Sequence, residues 1–286
     1  MKLLSFSVGD APSWGAVVGT KVADLGKALP QYATLADFLG SADFDRRDEI
    51  LAATPADVDL KDIVFLPVIP RPEKIVCIAR NYLDHHQEAV AHGLKREITP
   101  FPPVFLRVWR SQVAHNAPVI RPKVSTQLDW EGELAVVIGN GGRHIAEADA
   151  MDHVAGYSIY NDVSVRDWQM HAQQIAPGKN FVGTGPFGPW LVTKDEIPDP
   201  DGLKLRTLLN GEVVQSSDTS YLIFKIPRLI NYASTVFDLV PGDVIATGTP
   251  AGVGFTRKPP RFMKAGDTVE VEIERIGTLS NPVVDE

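Results

Sequence analysis

Cysteine is almost absent: Cys77 is the only one in 286 residues, so no internal disulfide can form and a reducing compartment suits the chain. Positive charge is scarce and scattered. Twenty-eight Lys and Arg stand against 36 Asp and Glu, a formal charge of −8, and no basic run exceeds a dipeptide such as Arg46-Arg47. A phosphate backbone is bound by clustered cations, so nucleic acid is excluded as the main partner. Long apolar runs are missing too. The start, Met1-Lys2-Leu3-Leu4-Ser5-Phe6, meets Gly9, Asp10 and Pro12 before a secretory core could form. No window approaches the ~20 apolar residues of a spanning helix. These absences lead to the expectation of a cytoplasmic protein with no membrane partner.

Familiar cofactor signatures are also lacking. His86 and His92 make zinc imaginable, but neither His-Glu-x-x-His nor His-x-x-Glu-His occurs, so zinc is set aside. Gly183-Thr184-Gly185-Pro186-Phe187-Gly188 matches the dinucleotide fingerprint only in letters. Pro186 and Pro189 forbid the helix that should follow, and Trp190 to Thr193 reads as a strand. The second glycine loop, Gly248 to Gly254, has no Gly-Lys-Ser/Thr and is not a P-loop.

What the chain does have is glycine and proline, 23 and 22, spread along its length. They point to many short strands and turns. Residues 1–68 read as a small N-terminal α+β domain: strands over Leu3–Val8 and Ala16–Val22, helices over Leu35–Leu39 and Arg46–Ala53. Pro67, Pro70 and Pro72 form an extended junction. Residues 69–286 read as mainly β. Strands are expected at Ile75–Ala79, Leu134–Ile138, Val154–Tyr160, Leu191–Thr193, Val244–Thr247 and Thr268–Ile273. Helices are expected at Asn81–His92, Ser164–Gln173 and Ile226–Ser234.

The segment Asp129 to Ile138 is the most informative. Strand side chains alternate, so Glu131 and Glu133 share a face with Ala135 and Val137. Two like charges ~7 Å apart at a core entrance are costly unless a positive charge lies between them. A solvent-exposed strand end would make them harmless. Asp162 closes the next strand, either as a helix cap or as part of a polar face with Arg166 and Gln169, four and seven residues on. Three carboxylates without Cys or His would favour a hard ion, Mg²⁺ or Mn²⁺. His85 and Glu88, three apart on a helix, can form a polarised imidazole that serves as a base, or simply a solvated face. Lys179 is either a loop lysine or a substrate ligand, and Thr249 can offer a hydroxyl and an N–H to an oxyanion.

Taken in order, several short motifs resemble the fumarylacetoacetate hydrolase family over roughly residues 70–282. They are Arg80-Asn81-Tyr82-x-x-His85-x-x-Glu88, Asp129-x-Glu131-x-Glu133-Leu134 and Asn161-Asp162-x-x-x-Arg166-Asp167-x-Gln169. Gly178-Lys179, Gly188-Pro189-Trp190, Asn210-Gly211, Pro241-Gly242-Asp243 and Gly248-Thr249-Pro250-x-Gly252-Val253-Gly254 follow. The resemblance implies a mixed β-roll or sandwich catalytic domain, a homodimer and a Mg²⁺ or Mn²⁺ site. It matches Glu131, Glu133 and Asp162 to metal ligands, and His85 and Glu88 to a water-activating pair on a lid-like helix, with Lys179 beside the reacting group. Arg80, Tyr82, Arg166, Gln169 and Thr249 match substrate-holding positions.

The activity this implies is hydrolysis of a C–C bond in an acylpyruvate or 2,4-diketo acid, in aromatic or sugar-acid catabolism. Decarboxylation or keto–enol tautomerisation of an oxo acid on the same metal site is the alternative. A non-enzymatic, metal-dependent module for acidic ligands is more remote. Ala79 and Arg107 depart from the family's usual Gly and Lys, and His86, the stretch from His171 to Ala176 and a lid from Val90 to Pro103 leave the substrate open.

Overall fold

The computed structural model describes residues 1–91, 93 and 97–286. The chain begins with β1 (Lys2–Val8), β2 (Ala11–Val18) and β3 (Lys21–Asp24), then helices α1 (Leu35–Leu39) and α2 (Arg47–Ala53), then β4 (Ala56–Asp59). Next come β5 (Ile75–Ile78), helix α3 (Leu83–Ala91) and β6 (Val104–Arg107). The long strands β7 (Gly132–Ile138) and β8 (Val154–Asn161) lead to the one-turn helix α4 (Arg166–Gln169) and β9 (Gly185–Thr193). The chain ends with β10 (Lys204–Leu209), β11 (Glu212–Asp218), helix α5 (Ile226–Val236), β12 (Val244–Ala246), β13 (Thr268–Ile273) and β14 (Gly277–Asp285).

Two open sheets carry the architecture, as the mainly-β reading expected. The large one runs β4-β3-β2-β1-β9-β8-β7-β12-β5-β6, with Val64–Phe65 and Gln112–Val113 as side pieces. The smaller runs β11-β10-β13-β14 and ends on Val119–Arg121. Alternation along β7 explains how they pack. Leu134, Val136 and Ile138 face Leu205, Val271, Ile273 and Leu279 of the smaller sheet and Leu229 and Ile230 of α5. Ala135 and Val137 face the opposite way, into a cluster with Trp14, Leu35 and Phe38 from the N-terminal segment. With both faces covered, β7 is buried throughout, which is why from Leu134 to Ile138 it reads as an unbroken apolar run. Residues 1–24 join this sheet directly, through β1 paired with β9.

Several local expectations are corrected. The single strand expected over Ala16–Val22 is a hairpin turning at Gly19-Thr20, with β2 and β3 as its arms. The helix expected over Ser164–Gln173 shrinks to α4, because Ser164–Val165 is spent pairing with Leu128–Asp129. Asp162 therefore caps no helix. Helix α3 begins two residues later than expected. Asn81, where that helix was expected to begin, is a buried clamp: its Nδ2 donates to the Phe224 and Thr247 carbonyls, and its Oδ1 accepts from the Phe224 N–H. His92, and Leu94 to Arg96 of the expected lid, lie outside the described residues.

Candidate metal centre and active site

Register builds the site. Gly132 of β7 pairs with Asn161 of β8, so Glu131 and Asp162 emerge side by side from the ends of adjacent strands. The Asp162 N–H donates to the Glu131 carbonyl at 2.9 Å, and the Asn161 side chain accepts the Glu131 N–H at 2.9 Å. Glu133, two residues on, returns to the same face. Between the two glutamates the backbone passes close to the smaller sheet: a Cβ on Gly132 would lie 2.3 Å from Thr207 Oγ1, so only glycine fits. Carboxylate oxygens of Glu131, Glu133 and Asp162 all lie within 4.8 Å of one another, and all three residues are buried. The exposed strand end is thus ruled out.

Cations are drawn into this cluster. Lys179, 1% exposed, places Nζ 2.7 Å from Glu131 Oε2 and 2.5 Å from Asp162 Oδ2. Arg166 Nη1 lies 2.6 Å from Glu131 Oε1, and its Nε bonds Asp129 Oδ2 at 2.7 Å. Arg107 Nη1 donates to Asp162 Oδ1 at 2.6 Å, while its Nη2 donates to Thr184 Oγ1 at 2.9 Å. Burial alone would raise the Glu131 carboxyl, but Lys179, Arg166 and His85 hold it down to about 2. Glu133 goes the other way. Burial, then the Asp162 and Glu131 charges, push its carboxyl well above the ordinary range, and the Gly248 N–H at 2.8 Å offsets only part of that.

Four buried carboxylates, counting Asp129, face three buried cations, Arg107, Arg166 and Lys179. The uncompensated charge falls at Glu133, which has no ion-pair partner among the described residues. A hard divalent cation fits these residues: the donors are all carboxylate oxygens, and the charge it would neutralise is the one left over. Bound metal needs Glu133 ionised. Mg²⁺ or Mn²⁺ affinity is therefore expected to tighten as pH rises through the elevated Glu133 titration, and isothermal calorimetry across pH checks this.

His85 and Glu88 meet as expected. His85 Nδ1 is 3.0 Å from Glu88 Oε2, and the imidazole is 5% exposed. Burial would raise the Glu88 carboxyl, but hydrogen bonds from His85, Thr256 and the Gly252 N–H bring it below its ordinary value. An ionised Glu88 only accepts, so Nδ1 carries the proton and the Nε2 lone pair is left as a base.

The other expected substrate ligands are placed differently. Arg166 and Gln169 touch, Nη1 to Oε1 at 2.9 Å, but most of the Arg166 fork is spent on Asp129 and Glu131; its Nη2 is buried without a hydrogen-bond partner among the described residues. The Thr249 hydroxyl turns onto the Gly132 carbonyl and accepts from Gln215 Nε2, so it is committed within the protein. Tyr82 is fully buried, its hydroxyl without a hydrogen-bond partner among the described residues, and burial first, then Glu133, pushes that phenol up. Arg80 takes a left-handed backbone, φ 51°, at the corner between β5 and α3, and lines a crevice with His86, Ile223 and Phe224.

Sequence reasoning missed Asp129, Arg107 and Thr256 as parts of this site. Asp129 was visible as an acid immediately ahead of the Glu131/Glu133 pair. Its carboxylate takes the Gly254 N–H at 2.7 Å and the Phe255 N–H at 3.0 Å besides Arg166. Asp129→Asn swaps an acceptor for a donor against these groups and leaves Arg166 short of a buried partner. It is expected to cost about 3–5 kcal/mol of folding stability, measured by urea unfolding.

Comparison with known proteins places this geometry. Residues 74–284 match the family model described as fumarylacetoacetate (FAA) hydrolase C-terminal. The oxaloacetate tautomerase fahd2, mitochondrial, of Xenopus laevis is 42% identical over 295 aligned positions, covering 99% of this chain and 90% of that protein. The oxaloacetate tautomerase YisK of Bacillus subtilis (strain 168) is 44% identical over 226 residues, 78% of this chain and 74% of that one. Among solved structures, maleylpyruvate hydrolase from Sphingobium sp. SYK-6, in complex with manganese(II) ion and pyruvate, superposes with a TM-score of 0.81 at 27% identity, covering 100% of this chain and 99% of that one.

These relatives overturn the expectation of a hydrolase acting on carbon–carbon bonds. The two relatives above that are more than 40% identical are named tautomerases, and tautomerisation moves a proton without splitting the carbon chain. The motifs could not separate the two reactions, because one base beside one acidic metal site serves either. The matched model, the aligned relatives and the shared fold agree: the chain belongs to the fumarylacetoacetate hydrolase family.

Proposed function

We propose that this protein is a divalent-metal-dependent keto–enol tautomerase of a small 2-oxo dicarboxylic acid, oxaloacetate being the leading substrate. One observation carries the reading: a locked His–Glu base lies beside a buried carboxylate triad in a chain 42% identical to an oxaloacetate tautomerase. Glu131, Glu133 and Asp162 would hold Mg²⁺ or Mn²⁺. The cation, when bound, supplies Lewis-acid polarisation of the 2-oxo acid and lowers the cost of negative charge on its enol oxygen.

The remaining work belongs to side chains of this chain. Keto and enol forms differ by one proton, held on C3 in the first and on the 2-oxygen in the second. His85 Nε2 takes or returns the C3 proton, while Glu88 keeps Nδ1–H fixed and stabilises the imidazolium formed. The Lys179 ammonium, held between Glu131 and Asp162, adds positive charge at the edge of the triad where the enol oxygen gains its negative charge. The triad is buried, which strengthens each of these interactions. The test is the decay of enol-oxaloacetate absorbance. Acceleration by the Mg²⁺- or Mn²⁺-loaded protein that disappears with chelator supports the reading; acceleration unaffected by chelator removes the metal from it.

A further inference from the structure

The stretch after the glycine loop holds a residue that neither the motifs nor the family comparison singles out. Thr256 is 6% exposed, and its hydroxyl lies 2.7 Å from Glu88 Oε1, with the Val253 carbonyl at 3.0 Å as its one other acceptor among the described residues. The same Oε1 receives the Gly252 N–H at 3.1 Å. Glu88 therefore divides its two oxygens: Oε1 is fixed to the loop, and Oε2 is left to His85 Nδ1. A hydroxyl bonded to a carboxylate is a charge-assisted contact, stronger than a neutral one.

The loop makes a rigid anchor. Gly252 has φ +101°, and a Cβ there would lie 2.3 Å from the Val214 carbonyl, so glycine alone lets its N–H reach Glu88. Trp130 Nε1 and Arg257 Nη2 both donate to the Gly252 carbonyl at 3.2 Å. Arg257 Nη2 also donates to the Val214 carbonyl at 2.7 Å, and Asp129 takes the N–H groups of Gly254 and Phe255. Helix α3 is held at its start by the Asn81 clamp, but along its length His85 and Ala89 alone are buried, and Leu83 and Val90 are exposed. Beyond that clamp, the position of the imidazole is set where Glu88 meets the loop.

We propose that Thr256 is a positioning residue that acts through Glu88 to fix the His85 imidazole and helix α3 beside the carboxylate triad. This rests on the proton-transfer role given to His85 above. Thr256→Val keeps the shape and removes only the hydroxyl. It is expected to lower kcat about ten- to a hundredfold with a much smaller change in KM, because misplacing a base by a fraction of an ångström carries penalties of that order.

Thr256→Ser, which restores the hydroxyl, is expected to recover most of the rate. Backbone amide exchange over residues 83–91 should speed up in the valine variant and return to the wild-type rate in the serine variant, with Mn²⁺ affinity by calorimetry the same in both. Wild-type kcat in Thr256→Val, equal impairment of the serine and valine variants, or unchanged exchange in α3 would each overturn the proposal. If Thr256→Val does not fold, Thr256→Ala takes its place, and failure of both to fold assigns Thr256 to packing and also overturns it. An inactive wild-type protein would count against the tautomerase reading alone, since the exchange measurement still decides whether Thr256 holds α3.

Discussion

Glu133→Gln is expected to abolish Mg²⁺ or Mn²⁺ binding and turnover together while leaving the metal-free protein at least as stable as wild type. The reason lies in its surroundings. Glu131 and Asp162 are each paired with buried cations, so removing either deprives Lys179 and Arg166 or Arg107 of a buried partner, at a cost of about 3–5 kcal/mol. Glu133 has no such partner and sits against two like charges, which is why its carboxyl is pushed up. An amide of the same shape still accepts the Gly248 N–H and relieves the repulsion. Replacing a residue that merely supports a ligand costs about 10–100-fold in metal affinity, so losing a ligand is expected to cost at least about a hundredfold. Thermal melts with and without Mg²⁺ read both halves. The wild type should gain stability by mass action, about 2.7 kcal/mol at a hundred times Kd, whereas the variant should not respond. A variant that melts lower without metal, or still responds to it, contradicts the assignment of Glu133 as the uncompensated ligand.

His85→Asn separates the base from the metal. It removes the Nε2 lone pair yet touches none of the ion pairs around the triad, so Mn²⁺ affinity measured by calorimetry should stay within a few-fold of wild type. The rate should fall about 10²–10⁴-fold, the usual contribution of a positioned general base. Steady-state kinetics on oxaloacetate at saturating Mn²⁺ checks this. A near-normal rate would move proton transfer to another group, Lys179 being the nearest cation to the triad.

Much of this centre could be read from the chain because its signals are local. Strand alternation alone puts Glu131 and Glu133 on one face, and helical spacing alone puts His85 within reach of Glu88. The ring of support could not be read in that way. Arg107 reaches Asp162 across 55 positions, Thr256 reaches Glu88 across 168, and Asp129 reaches Gly254 across 125, and each depends on sheet order that no local period encodes. The helix expected to follow Asp162 failed for a related reason: Ser164 and Val165 favour a ladder with Leu128 and Asp129 that only the folded chain supplies. Reaction type was hidden differently. Water activation followed by C–C cleavage and proton transfer at C3 use the same His–Glu pair and the same triad, so only the relatives' tautomerase names distinguish them.

The most direct measurement is proton NMR of oxaloacetate in D₂O with the Mn²⁺-free, Mg²⁺-loaded protein. The expected result is deuterium entering C3 far faster than in buffer, with all four carbons retained and chelator returning the exchange to the background rate. Pyruvate and CO₂ appearing at the rate of substrate loss, or no protein-dependent exchange at C3, would contradict the proposed tautomerase.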